Sequence, residues 1–402
     1  MSFRQRWHER LVYLRNRPLE YLFTRATRYL GAVVHVPRVG YFINDARIAR
    51  EILTDSAHFS ISGAGGMGDF LDQMLGRPAP TLFNLDGTRH KQLKSIVQRE
   101  ITSRVTATRI SELLSSDLQQ LREQLEAGCE IDVVPFVQRI STLATAHLMG
   151  IHADTEHFEA LIEQVSQVGH EVTRVIAVRS GVVASRHVRH AQSLYSGLEQ
   201  LLVRHLEQAP QPLDSLVARL RQAGLSNDET QVLLLVLLIA GTETLSVGIP
   251  RTVAMLLDGG LWTECKSTPA NVRAAVDEGF RLSTPSPFVL YSAVRSQTVQ
   301  GYDFRAGRRV FVALFNILRD RRYIESPYAF RFDRKADPIW NQLWFGAGAH
   351  FCPGATVSRA VSHEVLSTLA KVDGQLRITG RRVARRTSFP GYESLRLKQV
   401  PG

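Results

Sequence analysis

At 402 residues, 44% hydrophobic and 22% charged, the chain has room for one large core or a few ordinary domains, and a disordered protein is excluded. A net charge of +11 leaves a nucleic acid, an anionic membrane or an acidic protein open as partner. Three widely spaced cysteines, Cys129, Cys265 and Cys352, argue against a disulfide framework and fit a reducing cytoplasm.

The first 18 residues carry arginines but no continuous apolar core, so they do not read as a secretory signal; Glu9 and Glu20 weigh against a transit peptide. Short strand-like pieces follow at 32–37 and 40–45, then a helical pattern over 45–53. Residues 61–82 are glycine-rich and mixed, in the manner of a lid loop. Apolar residues recur at helical spacing over 109–128, 156–172, 191–208, 214–224 and 227–260. The last stretch is apolar on most faces and is expected to run through the core. Its longest apolar run, 232–241, is shorter than the ~20 residues that span a bilayer, so no integral membrane segment is expected. Strand-like pieces return at 289–296, 308–314 and 376–379. Basic clusters at 89–94 and 381–386 lack interleaved aromatics, so no nucleic-acid partner is expected. The pattern predicts a mainly α protein with small β-sheets, of the α+β class, as a single domain over 1–402.

Three segments carry residues that packing alone explains poorly. In FGAGAHFCPG (345–354), glycines leave backbone amides free to donate to the Cys352 sulfur, and a following helix N-terminus would favour thiolate further. One thiolate suits haem iron, whereas no partner stands at zinc-ligand spacing; a small buried structural cysteine is as good a reading of this loop alone. In AGTET (240–244), Ala240 and Gly241 remove bulk so that something flat can approach, and Glu243 beside Thr244 sets an acid and a hydroxyl in an apolar segment. A threonine bonding back to its own helix explains Thr244 but not Glu243. In EGFR (278–281), Glu278 and Arg281 share a helix face and can pair, a weak signal by itself.

In this order, with the cysteine loop near the C-terminus, these segments resemble the cytochrome P-450 family. The loop fits F-G-x-G-x-[HR]-x-C-x-G through Phe345, Gly346, Gly348, His350, Cys352 and Gly354; AGTET fits [AG]-G-x-[DE]-T, and Glu278 with Arg281 fits E-x-x-R. RHKQLK (89–94) is similar to H-x-x-x-R through His90, with Lys94 for arginine. The resemblance implies a P-450 fold, with a sheet-containing portion from about 1–60 and 285–402 and a helical portion from about 85–284. It implies heme b (iron protoporphyrin IX) between the long core helix and the cysteine loop. Cys352 would be the axial ligand to the haem iron, with Phe345 against the ring near the sulfur. Glu243 and Thr244 would deliver protons on the distal side, next to Ala240 and Gly241. His90, Lys94 and His350 would serve the haem propionates, and Glu278 and Arg281 would be structural. Relatives usually carry a propionate-binding arginine ten residues beyond the E-x-x-R arginine; here that position is Tyr291, and Arg295 would compensate only through a strand bulge. Pro353 and Val361 also depart from common family residues.

The resemblance further implies a cytoplasmic monooxygenase that inserts one oxygen atom from O2 into a hydrophobic small molecule, of terpenoid, polyketide or fatty-acid type, in secondary metabolism. Electrons would come from a separate ferredoxin or flavodoxin with its reductase, acidic proteins to which the net positive charge is complementary. Lys91, Arg99, Arg334 and Lys335 are the candidate docking charges. The pocket is expected to draw on 61–85, 156–190, the core helix before Ala240, and 287–290. A peroxide-driven peroxygenase or a non-catalytic haem-thiolate sensor is the alternative, and neither needs the Glu243–Thr244 pair.

Overall fold

A computed structural model of the chain describes residues 3–104, 107–151, 158–175, 185–208 and 215–400. Two N-terminal helices that are not among the expected elements, α1 (Phe3–Asn16) and α2 (Pro18–Leu30), precede the hairpin of β1 (Val33–Val36) and β2 (Gly40–Ile43). Helix α3 (Ala46–Thr54) starts where the Asp45 carboxylate accepts from the free amides of Arg47 and Ile48. The glycine-rich stretch is not all loop: after β3 (Phe59–Ser60) it holds α4 (Met67–Leu75), ended by Gly76 in the left-handed region at φ 68°.

The helical half continues with α5 (Gly87–Arg104), α6 (Ala107–Glu126), β4 (Ile131–Asp132), α7 (Val133–Leu148), α8 (Phe158–Val175), α9 (Ser185–Gln208) and α10 (Leu216–Gln222). Helix α11 (Asn227–Asp258) follows, opened by a reciprocal cap in which Ser226 accepts from Glu229 N and Glu229 from Ser226 N. By length and composition α11 would cross a membrane, but 78% of its apolar window is buried inside the fold, against α7, α8, α13 and α15. It is hydrophobic all round because it is packed all round.

After α12 (Trp262–Lys266) and α13 (Pro269–Ser283) come β5 (Val289–Ala293), β6 (Gln297–Val299), β7 (Tyr302–Phe304), β8 (Arg308–Val312), α14 (Leu314–Ile317), α15 (Ala355–Ala370), β9 (Gln375–Val383) and β10 (Tyr392–Val400). The main sheet runs β1-β2-β8-β5-β3, with only β2 and β8 parallel; β4, β10 and β9 form a second sheet, and β6 and β7 pair alone. One hydrophobic core fills the helical portion, and another lies under the main sheet and α3. This mostly helical architecture with small sheets is the class expected from the sequence. Arg251 of α11, fully buried, joins the two ends of the chain: its guanidinium bonds Glu9, Tyr13, the Ser283 carbonyl and the Pro390 carbonyl.

Candidate active site

The cysteine loop is two short 3-10 turns, Leu343–Phe345 and Gly348–His350, leading into α15. Gly346 and Gly348 hold φ of 80° and 66°, where a side chain is strained, and a Cβ at 348 would also meet the Leu53 carbonyl. The turns bring the Cys352 amide to the Phe345 carbonyl at 2.9 Å and the Gly354 amide to the sulfur. Burial nonetheless raises the Cys352 thiol above its ordinary value, although the Gly354 amide, Lys94 and Arg359 pull the other way. The amide thus acts in the direction that the glycines suggest, and burial outweighs it. A cation bound at the sulfur would supply what is missing.

Cys352 lines a largely apolar cavity of about 360 Å³ together with Phe345, Gly346, Gly354 and, from α11, Ala240, Gly241, Glu243 and Thr244. Phe345 is held by the Arg359 guanidinium 4.9 Å above its ring. At Gly241 the missing side chain serves a neighbour rather than the cavity: a Cβ there would lie 2.7 Å from Thr145 Oγ1 on α7. Thr244 Oγ1 donates to the Ala240 carbonyl at 2.9 Å, the plain helix back-bond, so it is not paired with Glu243. Glu243 Oε1 is buried with no hydrogen-bond partner, and burial pushes the carboxyl up to about 8. It is a neutral acid at neutral pH, facing Gly169 of α8.

The polar end of the cavity gathers His90 and Lys94 from α5, Tyr291 from β5 and His350 from the cysteine loop. The His90 and His350 rings lie 4.1 Å apart, and burial, with His350 and Lys94 next, pushes His90 down to about 4. His90 Nδ1 is buried without a partner. Lys94 Nζ donates to the Ala349 and Phe351 carbonyls, the latter at 2.6 Å, and so clamps the cysteine loop. Asp86, which sequence reasoning missed, bonds His350 Nε2 at 2.8 Å. Burial alone would raise its pKa, but bonds from His350, Ser60 and Ser62 bring it down to about 2. Tyr291 is buried and edge-on to His350, and burial, then Asp86, raises its pKa. Arg295 is elsewhere: β5 pairs with β8 without a bulge, and Arg295 lies exposed beyond its end, outside the cavity lining.

Glu278 and Arg281 are joined by two 2.7 Å bonds, and Arg281 also bonds the Leu318 and Pro327 carbonyls. A third member comes from 56 residues on: Arg334 Nε donates to both Glu278 oxygens at 2.9 Å. Arg334 is therefore not a free docking charge. Lys335 is exposed, and Lys91 and Arg99 line an open groove beside the cysteine loop with Lys94, Ala349 and Phe351. Of the stretches expected to shape the pocket, 156–157 and 176–184 lie outside the described residues, whereas Met67, Phe70, Val172 and Phe288 do line it.

A cavity with a single thiol on one side, small residues and an acid on a helix opposite, and an orphaned imidazole nitrogen among further donors at one end fits a flat iron complex bearing anionic groups. A sequence model of the family described as Cytochrome P-450 matches residues 271–370, from α13 through α15. The polyketide biosynthesis cytochrome P-450 PksS of Bacillus subtilis (strain 168) is 24% identical over 82% of this chain and 78% of its own length. A steroid C26-monooxygenase of Mycolicibacterium smegmatis is 25% identical over 72% of this chain and 66% of its own. Among solved structures, a P-450 in complex with an acyl carrier protein bearing hexadec-9Z-enoic acid superposes with a TM-score of 0.78 at 18% identity, covering 96% of this chain and 99% of that one. Over α13 to α15 in sequence and over nearly the whole chain in fold, the protein is similar to the cytochrome P-450 oxidoreductases, a family whose cofactor is a haem.

Proposed function

We infer that the protein is a monooxygenase that inserts one atom of O2 into a hydrophobic small molecule. The observation that carries this reading is the Cys352 thiol and the unpartnered acid Glu243 on α11 lining one apolar cavity. A heme b held by Cys352 would supply the reductive activation of dioxygen. Glu243, protonated at neutral pH, holds a proton to give, and the Thr244 hydroxyl, donating to the Ala240 carbonyl, keeps its lone pairs free to accept one. His90, Lys94, His350 and Tyr291 would face the propionates, with Phe345, Gly346 and Gly354 framing the sulfur. The Glu278–Arg281–Arg334 cluster fixes the segment beneath the cysteine loop and touches no substrate.

The chain 1–402 works as one domain in this reading, cytoplasmic and fed by a separate ferredoxin or flavodoxin with its reductase. The groove with Lys91 and Arg99 beside the cysteine loop has no carboxylate in its lining, which suits an acidic donor. The apolar cavity and relatives named for polyketide and steroid chemistry support a lipophilic substrate from secondary metabolism. The test is the reduced, carbon-monoxide-bound spectrum. Thiolate ligation gives a red-shifted Soret band that Cys352→Ala removes, and a histidine-type band in the unmutated protein would overturn the assignment.

A further inference from the structure

Helix α2 is built inside out. Its buried residues are Tyr21, Thr24 and Thr27, whereas Leu19, Leu22, Phe23, Tyr29 and Leu30 are 61%, 54%, 40%, 76% and 72% exposed. At 3.6 residues per turn these five and exposed Ala26 fall in one sector, with the threonines on the other side. Hydrogen bonds hold the helix this way round. Asn316 Nδ2 donates to the Thr24 carbonyl at 2.7 Å and Asn44 Nδ2 to the Thr27 carbonyl at 3.1 Å, on the side that the threonines bury. Five of the eight large hydrophobic side chains exposed among the described residues thus form one stripe, and a sixth, Trp7, is on α1. Such a continuous apolar strip marks an interaction surface.

Uncompensated guanidinium groups border the stripe. Arg25 and Arg28 of α2, Arg10 of α1 and Arg321 line an open cleft with Tyr29 and Tyr328. Arg25 bonds the Tyr21 hydroxyl at 3.2 Å and Arg28 that of Tyr328 at 2.9 Å, neutral partners that leave both charges unanswered. The carboxylates at this cleft are already engaged, Glu9 by Arg251 and Glu325 by Arg331.

An apolar stripe edged by phenols and free arginines complements an anionic lipid surface, with the acyl boundary against the stripe and headgroup phosphates against the arginines. A protein partner fits less well. The strip is about 20 Å long and 10 Å wide, well short of the ~800 Å² that each partner buries in a stable interface. We propose that α2 docks this protein reversibly, without spanning, on an anionic bilayer. Leu19, Leu22, Phe23 and Leu30 enter the interface, and Arg25 and Arg28 meet the phosphates.

The test is co-sedimentation of the haem-loaded full chain with vesicles of phosphatidylcholine, alone or mixed with phosphatidylglycerol. The protein should sediment with the mixed vesicles and be released by salt. Leu22→Ser with Phe23→Ser should weaken partitioning at least tenfold, and Arg25→Gln with Arg28→Gln should abolish the preference for phosphatidylglycerol. Leu19→Glu with Leu30→Glu is an independent pair that should also weaken partitioning at least tenfold, and unchanged circular dichroism checks the fold of each variant. Protein that stays in the supernatant with both vesicle types, or apolar variants that sediment as before, overturns the proposal. So does light scattering that shows a dimer which these variants split, since the stripe would then be covered by a second copy.

Discussion

Gly169 of α8 faces the Glu243 carboxyl of α11 so closely that a Cβ at 169 would sit 2.5 Å from the Glu243 Cδ. In an ordinary helix interior, replacing glycine by alanine stabilises by ~0.5–1 kcal/mol, because glycine loses more backbone freedom on folding. At 169 the sign should reverse, since forcing a methyl into filled space costs ~1–3 kcal/mol. With Glu243→Ala already present the obstruction is gone, and Gly169→Ala should then stabilise by ~0.5–1 kcal/mol. A denaturant double-mutant cycle measures the coupling, and additive effects would show that the two residues do not interact.

The same carboxyl makes stability depend on pH. Burial raises Glu243 from an ordinary 4.5 to about 8 in the folded chain. With the folded value raised, its contribution to stability is full below about 4.5 and is lost as pH rises through about 8. Glu243→Gln cannot ionise, so its unfolding free energy relative to the unmutated protein, and with it its relative Tm, should rise between about pH 4.5 and pH 8, by up to a few kcal/mol at ~1.4 kcal/mol per unit. Tm profiles that stay parallel across that range would refute the buried, unpaired carboxyl.

What the sequence makes legible here is chemistry that is local along the chain. The glycines around Cys352, the acid beside Thr244 and the three-residue spacing of Glu278 and Arg281 each lie within ten residues, and α11 shows through its nearly unbroken apolar run. Contacts set by tertiary folding are not legible: Arg334 reaches Glu278 across 56 residues, and Asp86 meets His350 across 264. Helix α5 buries His90 and Lys94 and so lacks the apolar period by which a helix is recognised, whereas α2 has that period but turns its apolar stripe outward. Gly241 had a reason that only packing reveals, the nearby Thr145 hydroxyl.

Because Arg334 donates to both oxygens of a buried carboxylate, its loss should be structural. Arg281→Ala or Arg334→Ala leaves Glu278 with one of its two guanidinium partners, and losing hydrogen bonds to a buried charged group costs ~1.5–3 kcal/mol. Lys91→Ala and Arg99→Ala, both at exposed positions, should leave stability within ~0.5 kcal/mol. They should instead slow reduction by an acidic electron donor, more so at low salt. Urea midpoints paired with stopped-flow reduction rates separate the two classes. An Arg334→Ala protein of normal stability and slow reduction would return Arg334 to the docking surface.

Haem retention tests the departure at Tyr291. This side chain, buried against His350 at the polar end of the cavity, stands where the family resemblance implies a propionate-binding arginine, while Arg295 is exposed and outside the cavity lining. A phenol donating to a carboxylate contributes ~1.5–3 kcal/mol, equivalent to roughly ten- to a hundredfold in an equilibrium at ~1.4 kcal/mol per decade. Tyr291→Phe keeps the ring and removes only the donor, so haem transfer to an excess of an acceptor apoprotein should quicken by that factor. Arg295→Ala should leave the transfer rate unchanged. The reverse pattern would mean that β5 rearranges around the bound haem to bring Arg295 inward, against its regular, unbulged pairing with β8.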